Sequence, residues 1–353
     1  MKLLIIGTEK GSYRYPNYIK YFKKKGFQFF ENQHQKKSYI NRFLSFPKRI
    51  IDIFRSESAI VMPMNLGYLT IFEVLLCKLL NKVVIVDFYS SNYEKALQNN
   101  SSHFLEIALS RLRERIIIAL GDKLIFLNNS EANYFLNVLN MKIDDPKILI
   151  VPLCVDDKKI KTKKRFLDSN SFVNICWWGS LLDIHGIDNI LSSLEHLNSH
   201  KIRLNIFGNS DEKSMVLLEK YKDYIESNRL YISNELSFSD GTLNNYIIEK
   251  CDLSLGMFGD LTKSKTVLPN KVIDSLAMGI PCLTYKTDAI KELLGTQSNY
   301  LYFCENTPSG IADGIKSFIK EGNSLYCVEN AIETFEDKFS FRAFERNLDK
   351  IFF

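Results

Sequence analysis

The sequence predicts an α/β chain of two Rossmann-like domains in tandem, and three observations carry that reading. Short apolar runs rich in β-branched residues alternate with longer segments of helical period, which is how parallel sheets with crossover helices are written. At 353 residues the chain exceeds what one hydrophobic core holds. The alternation also starts afresh near residue 172, after the polar, lysine-rich stretch 156–170, which carries little that could pack and reads as an interdomain linker.

The elements follow in order. Six strands are expected in the first half, at 3–7, 26–30, 59–62, 83–88, 123–127 and 148–151, with helices near 66–80, 103–120 and 130–140. The second half has strands at 173–178, 203–208, 230–232, 253–257, 281–285 and 300–303, with helices near 186–199, 211–227, 240–250, 270–279 and 308–320. This places a first domain at 1–156 and a second at 157–338. The final segment, 339–353, spaces Phe341, Phe344, Leu348 and Ile351 as one helical face, which either closes the second domain or crosses back to the first. Doubly wound sheets bind ligands at their strand ends, so two in tandem face a central cleft.

Composition excludes several classes. A hydrophobic content of 46% with 25% charged residues is that of a folded chain. The seven cysteines are odd in number, widely spaced and set in apolar runs, so they read as reduced core residues of a cytoplasmic protein. The opening strand is too short for a signal peptide, and the most apolar stretch, Leu69 to Leu80, is broken by Glu73 and Lys78, so no membrane span is expected. The net charge of +5 is concentrated: residues 1–60 hold 13 Lys and Arg against 4 Asp and Glu, and the remainder 33 against 37.

The sharpest local signal runs from Gly256 to Thr284: a glycine-flanked loop, a helix from Asn270, a stop at Gly279 and a strand. Asn270 suits an N-cap, and the first-turn amides with the positive end of the helix dipole favour an anion such as a diphosphate. Lys271 and Asp274, three apart, share the face opposite Ile273, Leu276 and Ala277, leaving Asp274 free to accept hydrogen bonds from a ribose. On spacing alone, a surface Lys–Asp pair on an ordinary helix is the plainer reading.

Pro269-Asn270-Lys271-Val272, then Asp274, Ala277, Gly279 and Pro281, resembles the donor-site segment of retaining glycosyltransferase family 4. Gly121-Asp122-Lys123-Leu124-Ile125 leading to Val151–Asp156 is similar to that family's exit from its first domain. Trp177-Trp178-Gly179-Ser180 through His185-Gly186-Ile187 resembles the first strand and phosphate loop of its second domain. The resemblance covers most of the chain and is strongest over 172–294. It implies the GT-B fold, transfer with retention of configuration, and no required metal or other cofactor; no Asp-x-Asp signature is present. Asp274 falls where the second acid of the family's E-x7-E motif contacts the ribose, and Thr266 stands where the first acid would be. The family's phosphate-binding Arg and Lys correspond to Ser180 and His185, so Lys263, Lys265 or Lys271 is left to supply positive charge to the leaving diphosphate. His185 would donate more strongly if a phosphate raised its pKa; the alternative is a turn histidine before the helix from Gly186. On this resemblance His185, Asp87 and Lys265 are the catalytic candidates. Gly7, Ser180, Gly186, Gly208, Phe258, Gly259, Thr266, Asn270, Lys271 and Asp274 are the candidates for binding the donor.

Elsewhere the signals are weaker. Asp87 ends a buried strand where open sheets place ligand-contacting groups; it is an acceptor-side candidate or the cap of the next turn. Gly7, Thr8 and Gly11 form a first loop, but no G-x-G-x-x-G follows the strand, which disfavours a nicotinamide enzyme. Lys23–Phe27 and Arg42–Arg55 interleave positive and apolar residues, as at an anionic membrane interface or on a core helix with solvated lysines, and no nucleic-acid reading module accompanies the charge. His196 and His200, four apart, lack a third ligand and are assigned to the surface. The expected partners are a nucleotide-sugar donor, a glycan or polyprenyl-linked saccharide acceptor and the inner face of the plasma membrane, but not nucleic acid. A non-catalytic partner of the same fold and an epimerase of free nucleotide sugar are the other readings.

Overall fold

The computed structural model describes residues 1–7, 14–32, 46–62, 69–98, 103–143, 145–155, 172–198, 200–208, 211–296, 298–321 and 328–353. The expected linker, the loop holding Thr8 and Gly11, and Cys327 lie outside them. The chain forms two compact units, Met1–Cys154 with Phe344–Phe353, and Val155–Ala343.

The first unit is built on β1 (Lys2–Ile6), β2 (Gln28–Asn32), β3 (Ser58–Val61), β4 (Val83–Asp87), β5 (Lys123–Phe126) and β6 (Ile148–Ile150), in the order β2-β1-β3-β4-β5-β6. Every pairing is parallel, as in Leu4 with Phe30 and with Ala59, or Val86 with Leu124. A parallel sheet covered on both faces needs continuous apolar strands, and Leu3–Ile6 and Ala59–Val61 are wholly buried. The second strand begins two residues later than expected, because Gly26, at φ 71°, first turns the chain out of the helix Arg14–Lys24.

Helices Phe46–Arg55, Leu69–Leu79 and Phe104–Leu120 cross between the strands, and right-handed crossovers running in one direction put them on one face of the sheet. The helix Arg14–Lys24 leads the other way, and Phe344 onward of the last helix, Phe341–Phe352, packs with it. There Tyr18 meets Phe344 edge-on at 5.3 Å, and Phe22 meets Phe352 at 5.5 Å. Lys24 pairs with Glu345, and Lys25 with Asp349, which also accepts from the Tyr21 hydroxyl at 2.9 Å. Two of the lysines expected to face a membrane therefore hold the C-terminal helix.

The second unit contains β7 (Val173–Gly179), β8 (Ile202–Gly208), β9 (Leu230–Ser233), β10 (Leu253–Leu255), β11 (Cys282–Tyr285) and β12 (Leu301–Cys304), ordered β9-β8-β7-β10-β11-β12 and again parallel throughout. Side chains alternate along β7: Ile175 and Trp177 enter one core with Phe258 and Leu283, whereas Cys176 and Trp178 enter the other with Phe207 and Met278. The order reverses between β7 and β10, the crevice where open α/β sheets hold ligands. The two six-stranded parallel sheets with their helices have the architecture of the GT-B fold. Among the described residues no helix is long and apolar enough to cross a membrane. All six described cysteines are free, and five are buried.

Candidate functional site

Two loops meet at the reversal point of the second sheet. The first leaves β7 at Gly179, passes Ser180 and a short 3-10 turn, Asp183–His185, and enters the helix Ile187–Ser192 through Gly186. The second leaves β10, passes Gly256, Phe258 and Gly259, and reaches the helix Asn270–Met278 through the 3-10 turn Thr262–Thr266.

The loops interlock backbone to backbone. The amide of Phe258 donates to the carbonyl of His185 at 3.1 Å, Ser264 Oγ to the carbonyl of Ile184 at 3.0 Å, and Asn189 Nδ2 to the carbonyl of Phe258 at 3.0 Å. Gly186 adopts φ 67°, and a Cβ there would lie 2.0 Å from the Phe258 oxygen. A Cβ on Gly259 would lie 2.1 Å from the Ile184 oxygen. These glycines let the loops touch, and each one's side-chain position is filled by the opposite loop. Gly208, paired with Gly179 across the strands, makes room for Leu181 in the same way. Phe258 lies wholly in the core with Leu253 and Leu255, so its side chain is not a wall of a donor pocket.

On this frame stands a polar cluster. Lys271 is 4% exposed, with Nζ 4.6 Å from the centre of the Trp177 ring, a cation–π contact in a desolvated place. Its Nζ is 3.4 Å from His185 Nδ1, and His185 Nε2 is 3.3 Å from Ser180 Oγ. When Lys271 is charged its ammonium only donates, so Nδ1 accepts and the neutral imidazole carries its proton on Nε2. The histidine then donates to Ser180 Oγ, and the serine hydroxyl proton is left to turn toward a ligand. Burial lowers the Lys271 pKa to about 7, outweighing the attraction of Cys282 and Asp274. Burial, then the charge of Lys271, lowers that of His185 to about 3, so the imidazole is neutral at physiological pH. The first amides of the helix Asn270–Met278 sit beside this cluster with the positive end of the dipole.

The structure corrects several expectations. Pro269, extended at ψ 141°, occupies the N-cap position and Asn270 is the first helical residue, with no side-chain cap. Lys271 and Asp274 are not a surface pair: every side chain from Lys271 to Met278 is buried, because the helix packs between the strands and the helix Val328–Lys338. Asp274 is 4% exposed and accepts from Trp178 Nε1 at 3.2 Å through Oδ2. Thr266 Oγ1 donates to the carbonyl of Lys263 at 3.0 Å, and Lys265 is exposed on the short turn. His196 is exposed on a 3-10 turn, Ser193–Leu197, not on an α-helix. Among the described residues no group of three or more His, Cys, Asp or Glu could hold a metal ion.

Gly7 and Asp87 belong to the first unit. Gly7 ends β1 at φ 69°. Asp87 ends β4 and is already paired there: Arg14 donates to it twice, Nε to Oδ2 at 3.0 Å and Nη2 to Oδ1 at 3.3 Å, and also to the carbonyl of Val151 at 2.8 Å. Sequence reading missed Arg14 as its partner and Trp177 as the floor beneath Lys271. Two tryptophans in succession at a strand end were the one available signal, since period two sends them to opposite faces.

No protein-family model matches the chain, and no curated protein matches its sequence. Among solved structures, a glycosyltransferase of Rickettsia africae is similar over 99% of this chain and 97% of its own, with 14% identity and a TM-score of 0.68. A sucrose-phosphate synthase of Thermosynechococcus elongatus covers 99% and 98% at 11% identity and a TM-score of 0.74. Anabaena Alr3699/HepE, crystallised with UDP and glucose, covers 99% and 98% at 10% identity and a TM-score of 0.66. At these identities the likeness establishes the fold.

Proposed function

We propose that this protein is a glycosyltransferase that holds a nucleoside-diphosphate sugar in its second unit and passes the sugar, with retention of configuration, to a glycan or polyprenyl-linked saccharide in bacterial surface-polysaccharide synthesis at the cytoplasmic face of the membrane. The observation that carries the reading is the Lys271–His185–Ser180 chain at the reversal point, beside a helix N-terminus. The fold shared with Alr3699/HepE, which was crystallised with UDP-glucose, supports the donor class.

Glycosyl transfer leaves negative charge on the departing diphosphate, and donors fixed in advance lower that barrier. Lys271 brings positive charge without a metal ion, and an adjacent diphosphate would raise its pKa back into the charged range. Ser180, oriented by the neutral His185, adds one hydrogen bond, and the helix amides add more. Catalysis on this account rests on positioning and leaving-group stabilisation, with no covalent side-chain nucleophile.

A second reading is favoured by Thr266, Ser180 and the engagement of Asp274 by Trp178: a partner protein that binds nucleotide sugar without turning it over. The experiment is to offer UDP-, GDP-, dTDP- and ADP-sugars with a polyprenyl-linked saccharide, measuring nucleotide release and the anomeric configuration of any product by NMR. Release that requires acceptor and is lost in Lys271→Met is expected. Binding without release would replace the enzyme by the partner, conversion of donor without acceptor would make it an epimerase, and failure to bind any donor would remove both the enzyme and the partner.

A further inference from the structure

The helices on one face of the first sheet are apolar on both sides. Phe104–Leu120 buries Ser110, Glu114, Ile117 and Ile118 toward the core. Phe104, Leu105, Ala108, Leu112 and Ala119 fall within about a 100° arc on the opposite side, where Phe104 is 84% exposed and Leu105 67%. The adjoining helix Leu69–Leu79 buries Val74 and Cys77 and turns Phe72, Leu75 and Leu79 outward at the same kind of spacing, Leu79 at 79% exposure. The third helix, Phe46–Arg55, adds exposed Ile51 and Phe54 and is tied to the second by the buried pair Arg49–Glu73. Glu114 accepts from Ser91 Oγ at 2.6 Å and from the first amides of the helix Asn92–Gln98, which fixes that helix beside Phe104–Leu120. Eight large apolar side chains on three packed helices exceed the scattered singles of an ordinary surface.

The charges on this face have one sign. Of the acids on the three helices, Asp52, Glu73 and Glu114 are buried, and Glu106 points away from the apolar arc. Lys48 and Arg55 are exposed, whereas Arg115 donates to the carbonyl of Leu139 at 2.9 Å. A groove of about 350 Å³ between the helices Asn92–Gln98 and Phe104–Leu120 is lined by Tyr93, Phe104, Ile107, Arg111, Leu112 and Arg115, with the Arg111 guanidinium 5.7 Å from the centre of the Tyr93 ring.

We infer that this three-helix face docks on an anionic lipid bilayer, with Phe54, Phe72, Leu79, Phe104 and Leu105 entering the headgroup boundary and Lys48 and Arg55 meeting lipid phosphates. An apolar face rimmed by cations suits an anionic interface, and the same cations oppose the pairing of two copies across this face. The surface takes in Phe46–Arg55 of the Arg42–Arg55 stretch singled out in the sequence, but not the Lys23–Phe27 stretch, whose Lys24 and Lys25 are engaged by Glu345 and Asp349.

The test is flotation of the full chain with vesicles of phosphatidylcholine, alone or with about 30 mol% phosphatidylglycerol, the anionic component of choice for a basic surface. Wild type floats with the anionic vesicles and is released by salt. The triple variant Leu79→Ser, Phe104→Ser, Leu105→Ser loses about tenfold or more of that affinity. Lys48→Gln with Arg55→Gln loses the preference for anionic lipid. Because all five positions are exposed, circular dichroism and nucleotide binding by the second unit stay as in wild type and report an intact fold. Absence of wild-type flotation, or equal flotation of the triple variant, would overturn the inference. So would a wild-type dimer that the triple variant dissociates in sedimentation, since the face would then belong to a second copy.

Discussion

Both units bury a basic side chain at the carboxyl ends of their strands, and the two are balanced in opposite ways. In the first, Arg14 and Asp87, 2% and 1% exposed, form a two-bond pair that Arg14 extends to the carbonyl of Val151. In the second, Lys271 lies against His185 and the face of Trp177, and burial outweighs the attractions it receives. A closed pair fixes a strand end. An under-compensated lysine is a place where an anion would be welcome, since a bound diphosphate returns the Coulomb energy that desolvation removed.

The largest expected effect sharpens this contrast. Arg14→Met strands Asp87 without its partner and costs about 3–5 kcal/mol of stability, read from urea unfolding, while nucleotide affinity measured on the folded protein without urea stays unchanged. Lys271→Met does the reverse. It lowers nucleotide-sugar affinity by about a hundredfold, as removal of a buried charge from its ligand does, and relieves a desolvation penalty in the empty protein. A variant pair behaving the other way round would break the comparison.

Gly186→Ala comes next. The left-handed backbone and the Phe258 carbonyl 2.0 Å from the new Cβ both oppose it, so a loss of about 2 kcal/mol or more is expected, with weaker nucleotide binding as the loops separate. Gly241, also at positive φ but with nothing within 4 Å of a Cβ, serves as the control for strain alone. The smallest effect is that of Ser180→Ala, which removes one neutral hydrogen bond and about tenfold or less in affinity.

The pH dependence follows from the two lowered pKa values. His185 stays neutral in the fold but protonates in the unfolded chain near 6.5, so its contribution to stability is complete above that pH and is lost as pH falls toward about 3. Lys271 contributes fully above its ordinary 10.5 and progressively less down to about 7. Urea unfolding of wild type should accordingly show a rise in stability between pH 7 and 10.5 that Lys271→Met lacks.

The two sheets were legible because all-parallel strands buried on both faces are written as unbroken apolar runs, as in Val83–Val86 and Ile175–Trp178. The loop glycines were legible as special positions, although their use in packing one loop against the other was not. Lys271 was misplaced because helical spacing assumes one wet face, and the helix Asn270–Met278 has none. The Arg14–Asp87 pair joins residues 73 positions apart, which no local pattern encodes. The apolar outer face of Phe104–Leu120 escaped notice for the opposite reason: a helix apolar on two sides has no period to contrast with its core.

The central claim is that Lys271 receives the diphosphate, and calorimetry of nucleotide-sugar binding at pH 8 in two buffers of different ionisation enthalpy tests it most directly. With a free pKa of about 7, Lys271 is largely neutral at that pH, so binding should take up close to one proton in wild type and none in Lys271→Met. Binding of equal strength in the variant, with the same proton uptake, would contradict the account.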